Sequence, residues 1–336
     1  MAGKDLVPPG LLYLADNISS KHNILGTSKT EGAKWAKDLG LPRSSDTLFF
    51  AGCGYQYMSD LTSLTDFMRK MDKSAIGAER MIGVASFQKK IGIDAAGLFR
   101  KVVSKGDKSD AQPLLDAIKV LTKMGYKLGY LGEDEPCCGG LLYYTGLHEE
   151  FTKNSKKFYE TAKANGVKKI IGMVPSCTYT IRDLAPKFVD GYDLEVRHFL
   201  EAVVDKLPSV KLNFPRPVKV TYHDPCQLAR FFKLIDAPRQ ILKSIKNIEF
   251  VEPDWTKGEY TTCCGGGAGF EAVFPEMSEI LAVNRVKELT DTGAEIIVTN
   301  CPGCIIQLRN GLKELKNESV QVLDMAQVLA MAMEEE

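Results

Sequence analysis

The sequence is constrained most strongly by a cysteine pattern that occurs twice. The pair Cys137-Cys138 is followed by two glycines, and the same arrangement returns 126 residues later at Cys263-Cys264. Cys177 has a counterpart 127 residues later, Cys304, and each of them lies two residues after a proline. Because the offset stays constant to within one residue, the pattern predicts an internal repeat, and therefore a fold built from two similar units.

The two repeats carry different numbers of thiols. The second repeat contributes five, with 36 residues before and after the central pair: Cys226, Cys263, Cys264, Cys301 and Cys304. In the first repeat Val174 stands where Cys301 stands, which leaves four: Cys53, Cys137, Cys138 and Cys177. Soft thiolates are the ligands of zinc and of iron–sulfur clusters, and a tetrahedral zinc site or a single cubane cluster uses four of them.

The segments between the cysteines predict the fold class. Strand-like apolar runs precede Cys53 and Cys226, further candidates lie at 127–131 and 248–251, and short apolar runs end just before Val174 and Cys301. Amphipathic helices are predicted at 149–165 and 276–292, each followed by a glycine. This alternation predicts an α/β fold with parallel strands. We expect two similar α/β lobes, each with a cluster site at the ends of its strands.

The predicted organisation has three parts. Residues 1–45 contain proline- and glycine-rich stretches and are predicted to form an extended N-terminal arm that docks on a partner subunit. Residues 46–207 form the first repeat lobe and residues 208–336 the second. Cys53 and Cys226 are 173 residues apart, which places an insertion at about 60–110 in the first lobe. Closely spaced prolines up to Pro217 are expected to mark the joint.

Charge and hydropathy exclude several classes of protein. Lys and Arg number 43, as do Asp and Glu, so no overall basic field favours binding to nucleic acid. No apolar run approaches the ~18 residues of a membrane-spanning helix, and the N-terminus does not resemble an export signal. We therefore expect a cytoplasmic protein, at most peripheral to a membrane through a partner. In that reducing compartment nine cysteines indicate metal or redox chemistry rather than a disulfide framework.

The cysteine spacing, together with the phrase Tyr222-His223-Asp224-Pro225-Cys226, resembles the cysteine-rich "CCG" domain. This domain occurs in heterodisulfide reductase catalytic subunits and in iron–sulfur subunits of glycolate and lactate oxidising complexes. The resemblance implies that the five thiols of the second repeat hold a non-cubane [4Fe–4S] cluster. For the first repeat, which departs from the pattern at Val174, it implies a [4Fe–4S] cluster with four cysteine ligands.

The function implied by the resemblance is that of an oxidoreductase subunit carrying single electrons. Disulfide cleavage or formation is expected at the second-repeat cluster, with a small thiol or disulfide as substrate. The chain lacks a ferredoxin-type Cys-x-x-Cys-x-x-Cys segment, so electrons are expected from partners: a ferredoxin-like iron–sulfur subunit and a flavin-containing subunit. The alternatives are a pure electron-transfer subunit, which relays electrons between a flavoprotein and another oxidoreductase, and a zinc-stabilised scaffold.

Residues beside the cysteines have two interpretations each. His223 either donates a hydrogen bond to a cluster sulfur or passes a proton to a product thiol, or else it bonds to a nearby backbone carbonyl. Arg230 and Lys233 either bind an anionic substrate or lie on a solvated helical face. His198 is predicted to lie in a helix. Thr178 and Thr180 are the nearest oxygens that could replace the thiol missing at Val174.

Overall fold

Two parallel sheets organise the computed structural model, which describes residues 7–72 and 111–333. The first sheet has the order β1-β2-β3, with strands Thr47–Phe50, Lys169–Gly172 and Glu195–His198. The second has the order β5-β4-β6-β7, with β4 Asn213–Tyr222, β5 Lys246–Phe250, β6 Ile296–Thr299 and β7 Gln321–Asp324. Every strand pair is parallel. The predicted α/β class with an internal repeat is confirmed.

Helices surround the two sheets. Those up to residue 207 are α1 Pro9–Lys21, α2 Lys29–Ala33, α3 Cys53–Gln56, α4 Met58–Asp72, α5 Gln112–Lys123, α6 Gly140–Tyr144, α7 His148–Ala164, α8 Pro175–Tyr179 and α9 Phe199–Lys206. Those beyond it are α10 Asp236–Ser244, α11 Phe270–Val273, α12 Pro275–Thr290, α13 Pro302–Glu314 and α14 Met325–Ala332. Within the described ranges, no helix is long and apolar enough to cross a bilayer.

The two long amphipathic helices form where the sequence predicts them. Helix α7 buries Phe151, Phe158 and Ala162, and α12 buries Ala282, Val286 and Leu289. Both helices are followed by a glycine with positive φ, 74° at Gly166 and 75° at Gly293, a conformation that favours glycine and ends a helix. Each helix leads directly into a core strand, β2 or β6.

Four local expectations are wrong. Residues 9–21 form a helix rather than an extended arm, because Ala15 and Ile18 are buried in an apolar cluster with Leu142 and Phe151. The segment 127–131 contributes a single bridge, between Gly129 and Leu48, and no strand. A glycine weakens a strand because it has no side chain to pack.

The third error concerns His198. It ends β3 and caps α9, where its Nδ1 accepts the backbone N–H of Leu200 at 3.2 Å. The fourth error concerns the expected joint, because Pro215 and Pro217 lie within the central strand β4. They are accommodated because the β4–β5 register shifts there and pairing with β6 begins only at Val220.

The repeats pack crosswise. Helix α3, which begins at Cys53, packs on α13 of the second repeat, and a Cβ added to Gly54 would lie 2.7 Å from Pro302 Cγ. Reciprocally, α8 of the first repeat packs on the π-helical turn Gln227–Phe232 that follows Cys226. The buried apolar residues of both sheets form one continuous cluster. The boundaries at 46 and 208 remain predictions, and most of the insertion at 60–110 lies outside the described residues.

Candidate metal centres

The second site contains the five cysteines of the second repeat at the carboxyl ends of β4 and β6. Cys301 caps α13, and Cys304 lies in the first turn of that helix. The Sγ atoms of Cys264 and Cys304 are 3.2 Å apart, and both residues are buried. Cys226, Cys263 and Cys301 are partly exposed, so solvent reaches part of the site. The fold therefore gathers all five predicted thiols of this repeat.

The glycines after Cys263-Cys264 permit a tight turn. Gly265 has φ 86°, and a Cβ at this position would overlap the carbonyl oxygen of Ser278. The N–H of Gly265 donates to the Sγ of Cys263 at 3.3 Å. A bare backbone therefore brings a hydrogen-bond donor to sulfur, the kind of contact that tunes a metal centre through its ligands.

The first site contains the four cysteines of the first repeat in a chain of contacts. Cys53 hydrogen-bonds to Cys137, Cys137 to Cys138, and Cys138 to Cys177. The N–H groups of Gly139 and Gly140 each lie 3.5 Å from a sulfur, that of Cys137 and Cys138 respectively. The predicted four-thiol set is thus also brought together.

Thiols in both sites hold their protons strongly when no cation is bound. The hydrogen bond between Cys53 and Cys137, together with burial, raises the pKa of Cys53 far above its usual range. Burial raises the pKa of Cys226 to about 11. In Cys264, by contrast, hydrogen bonds from Cys263 and Cys304 hold the pKa well below the usual range. A metal cation must therefore displace protons from most of these thiols when it binds.

Unpartnered polar atoms cluster at the strand ends beside the second site. In the part of the chain that the structure describes, six buried polar atoms around β4, β6 and α12 have no hydrogen-bond partner: Thr221 Oγ1, His223 Nε2, Ser278 Oγ, Arg285 Nη2, Thr299 Oγ1 and Asn300 Nδ2. A buried donor without an acceptor is costly. The donor set and the thiols together fit a group that carries acceptor atoms, as sulfide-bridged iron does.

A family comparison identifies this arrangement. The model of the CCG cysteine-rich domain matches residues 104–182 and 220–309, which together make up half of the chain. The chain belongs to the CCG cysteine-rich domain family. Both matched regions contain a CCG cysteine pair and the helix–strand unit that follows it, as the two repeats predict.

Several curated relatives extend the comparison. One component of the dihydromethanophenazine:CoB–CoM heterodisulfide reductase from Methanosarcina barkeri is 33% identical over 64% of this chain and 54% of its own length. EtfAB:quinone oxidoreductase from Syntrophomonas wolfei is 34% identical over 65% of this chain and 31% of its own length. Lactate utilization protein A from an Exiguobacterium species is 24% identical over 63% of this chain. The match thus spans about half the length of the heterodisulfide reductase component and about a third of the length of the quinone oxidoreductase.

One solved structure shares the fold. A hypothetical protein from Helicobacter pylori matches 67% of this chain and 46% of its own, with 18% sequence identity and a TM-score of 0.51. At that identity the likeness supports the architecture alone.

The first repeat departs from the CCG pattern at Val174, and the structure shows what replaces the thiol. Val174 is 4% exposed, and its Cγ2 packs against Gly52, directly before Cys53. The hydroxyls of Thr178 and Thr180 each donate to a carbonyl one turn earlier, that of Val174 at 2.8 Å and that of Ser176 at 2.7 Å. The position of the fifth ligand is therefore filled by hydrocarbon.

His223 lies at the second site, as the sequence predicts. One of its ring nitrogens is within 4.8 Å of the sulfurs of Cys264 and Cys304. Its Nδ1 accepts from Arg285 Nε at 3.0 Å, and burial lowers its pKa. Asp224, the next residue, is held by the guanidinium of Arg239 at 2.8 Å, which fixes the loop that leads to Cys226.

Two basic residues considered for substrate binding have other partners. Arg230 donates to the carbonyl oxygens of Glu259 and Thr261, and Lys233 pairs with the Glu259 carboxylate at 3.0 Å. Both side chains therefore fasten the loop that precedes Cys263.

Sequence reasoning missed two buried charged residues beside the sites. Glu135 accepts the backbone N–H groups of Ala51 and Gly52, both at 3.0 Å, and so shapes the loop that carries Cys53. Arg285 is completely buried. It could have been found from helix periodicity, because it is in phase with the apolar residues Ala282, Val286 and Leu289 of the buried stripe of α12.

Proposed function

We propose that the protein is an iron–sulfur subunit of an oxidoreductase complex and that it carries single electrons. The observation that carries the proposal is the second site, where five thiols converge beside buried donors that lack acceptors. In this proposal Cys226, Cys263, Cys264, Cys301 and Cys304 hold a non-cubane [4Fe–4S] cluster. A cluster of this kind supplies one-electron chemistry and an iron that can bind a sulfur atom.

For the first site we propose a [4Fe–4S] cluster with four ligands, Cys53, Cys137, Cys138 and Cys177. Four thiolates complete a cubane. The buried Val174 side chain supports this choice, since it closes the position where the second repeat has a fifth thiol.

We further propose a disulfide as the substrate class of the second site. A disulfide takes up two electrons and two protons and gives two thiols, and an electron carrier delivers those electrons one at a time. Cys226, Cys263 and Cys301 are partly exposed, which supports access of a small substrate from that side. The heterodisulfide reductase among the relatives is consistent with this chemistry.

The second candidate function is a pure electron relay without a substrate of its own. It is favoured by the crosswise packing, which brings the turn after Cys53 against Pro302, between Cys301 and Cys304. In either case the reducing equivalents come from partners, for which we propose a ferredoxin-like iron–sulfur subunit and a flavin-containing subunit. We propose a cytoplasmic location, with any membrane association made through a partner.

The proposal is tested by iron and acid-labile sulfide analysis of anaerobically purified protein, with EPR of the oxidised state before and after addition of thiol. About eight irons per chain and a signal that changes with thiol are expected. About eight irons per chain without a change of the EPR signal on thiol addition would reject the disulfide substrate and favour the pure electron relay. Zinc in place of iron would overturn the redox function and favour a scaffold.

A further inference from the structure

The repeat offsets bring two residue pairs into correspondence. His223 and Phe50 each lie three residues before the first cysteine of their repeat, and the offset of 127 places Arg285 opposite Phe158. Both pairs join a residue at the end of a strand to the long helix that follows the cysteine pair of the same repeat, α7 in the first and α12 in the second. Arg285 Nε donates to His223 Nδ1 at 3.0 Å, whereas the rings of Phe50 and Phe158 meet edge to face at 5.5 Å.

Arg285 determines which nitrogen of His223 carries the proton. The Nε–H of Arg285 donates to Nδ1, so Nδ1 acts as an acceptor and carries no proton. The proton of the neutral ring must therefore lie on Nε2. Nε2 has no nitrogen or oxygen partner among the described residues, and the ring lies within 4.8 Å of the sulfurs of Cys264 and Cys304, with a hydrogen bond to Cys264. The Nε2–H group is therefore the donor available to these sulfurs.

Arg285 is itself held firmly. Its Nη1 donates to the carbonyl of Thr256 at 2.9 Å and pairs with Glu288 at 2.7 Å. The guanidinium is completely buried, whereas 33% of the Glu288 side chain is exposed, so solvent screens the anion more than the cation. The second site thus has the N–H donor of His223 and the buried guanidinium of Arg285 beside it. The corresponding positions of the first repeat hold two phenyl rings.

We propose that Arg285 is a positioning residue which directs the Nε2–H of His223 to the Cys264 sulfur and thereby raises the reduction potential of the second site. The inference rests on the proposed function. A donor to a ligand sulfur and a nearby cation both stabilise the reduced, more negative state. With clusters held at both sites, the higher potential would favour transfer of one electron from the first site, which would be oxidised, to the second, which would be reduced, and no bond would be formed or broken.

The first repeat provides the variant that tests this inference. His223→Phe combined with Arg285→Phe copies the pair Phe50 and Phe158, which this fold already accommodates. We expect the potential of the second site to fall, with the reduction equilibrium constant at least tenfold lower, which is 59 mV for one electron. Redox titration followed by EPR measures it, and the first-site signal in the same sample is the internal reference.

Two single variants refine the result. Arg285→Gln should lower the potential in the same direction by a smaller factor, whereas His223→Gln, which retains an N–H donor, should keep most of the wild-type potential. Arg216→Gln is the matched control, because Arg216 pairs with the exposed Glu295 away from both sites. It should change neither potential.

Each outcome decides the inference. An unchanged or higher second-site potential in the double variant would overturn it, as would an equal shift at both sites. If the double variant fails to bind a second cluster, Arg285→Gln decides in its place, and an unchanged potential would overturn the inference. Absence of iron from the wild-type protein would overturn the proposed function, whereas loaded clusters with unaltered potentials would overturn this inference alone.

Discussion

The two cysteine sites have the same backbone plan and different surroundings. In both, a parallel strand leads to the first cysteine, a glycine turn presents the cysteine pair, and a helix begins near the last cysteine. The first site is completed by Val174 and by the ring pair of Phe50 and Phe158, and the second by Cys301 and by the pair of His223 and Arg285. The repeated fold therefore sets where thiols meet, while a few substitutions set what each site can do.

The largest expected effect separates the sites by removing one thiol from each. Cys264→Ser should lower the iron content from about eight to about four per chain, with loss of the second-site EPR signal. Cys138→Ser, at the corresponding position, should remove the other signal and leave that of the second site. The measurement is metal analysis combined with EPR. Identical spectra from the two variants would contradict the assignment of separate clusters.

Restoring the missing thiol tests whether Val174 accounts for the difference in cluster type. Val174→Cys should give the first site a fifth ligand and convert its EPR signal to the form seen at the second site. The thiol is close in size to the valine side chain, so the buried position should accept it. Val174→Ala removes volume without adding a ligand and should leave the signal unchanged. A first-site signal that Val174→Cys fails to alter would mean that more than one residue distinguishes the sites.

The glycines after the cysteine pairs should differ in their tolerance of alanine. Gly139 and Gly265 both have positive φ, 76° and 86°. A Cβ on Gly139 meets the side chain of Asn154, which can move, whereas a Cβ on Gly265 meets the backbone of Ser278. We expect Gly139→Ala to cost about 1 to 3 kcal/mol of unfolding free energy and Gly265→Ala about 4 kcal/mol or more. The unfolding free energies are measured by denaturant titration of the iron-loaded protein. Equal losses in the two variants would show that the backbone of Ser278 can shift as easily as the side chain of Asn154.

A smaller difference concerns the caps at the last strand of each sheet, His198 in the first and Asp324 in the second. Burial lowers the pKa of His198 to about 3, so between pH 6.5 and that value the unfolded chain binds a proton that the folded protein does not. This residue should reduce stability by up to about 1.4 kcal/mol per pH unit as the pH falls below 6.5. In His198→Asn the decline between pH 7.5 and 5.5 should be correspondingly smaller.

Asp324→Asn is the control for His198→Asn, and its sign is opposite. Burial raises the pKa of Asp324 to about 7, so the folded protein holds a proton that the unfolded chain loses above its usual pKa. Asp324 therefore reduces stability as the pH rises towards 7, and Asp324→Asn should remove that decline. Parallel pH profiles for the two variants, measured by denaturant unfolding, would be incompatible with these assignments.

The sequence alone was sufficient for the features that depend on spacing. The offsets predicted the repeat, and the pattern of strands and helices predicted the parallel sheets with cysteines at the strand ends. Helix periodicity also located α7 and α12 to within one or two residues. These signals are local, so they do not depend on knowing how distant segments pack.

Features set by contacts between distant segments were not predicted. Helix α1 forms because Ala15 and Ile18 pack on Leu142 and Phe151, more than 120 residues away in the sequence. The prolines of β4 are tolerated because a register shift spares their pairing, which no local pattern reveals. From its residue type alone, Arg285 would be expected to face solvent like most arginines. Its position on the buried stripe of α12 is what indicates that it is buried.

The crosswise packing has a consequence for how the gap between the sites behaves. The turn after Cys53 is held by α13, and the turn after Cys226 is held by α8, so hinge opening would have to break both contacts at once. The spacing of the sites should therefore stay fixed, and in the proposed electron transfer a constant spacing would give a constant tunnelling distance. The opening to the site would then keep a constant size. The proposed site would select a substrate because larger molecules cannot enter, and not because the protein closes around the bound molecule.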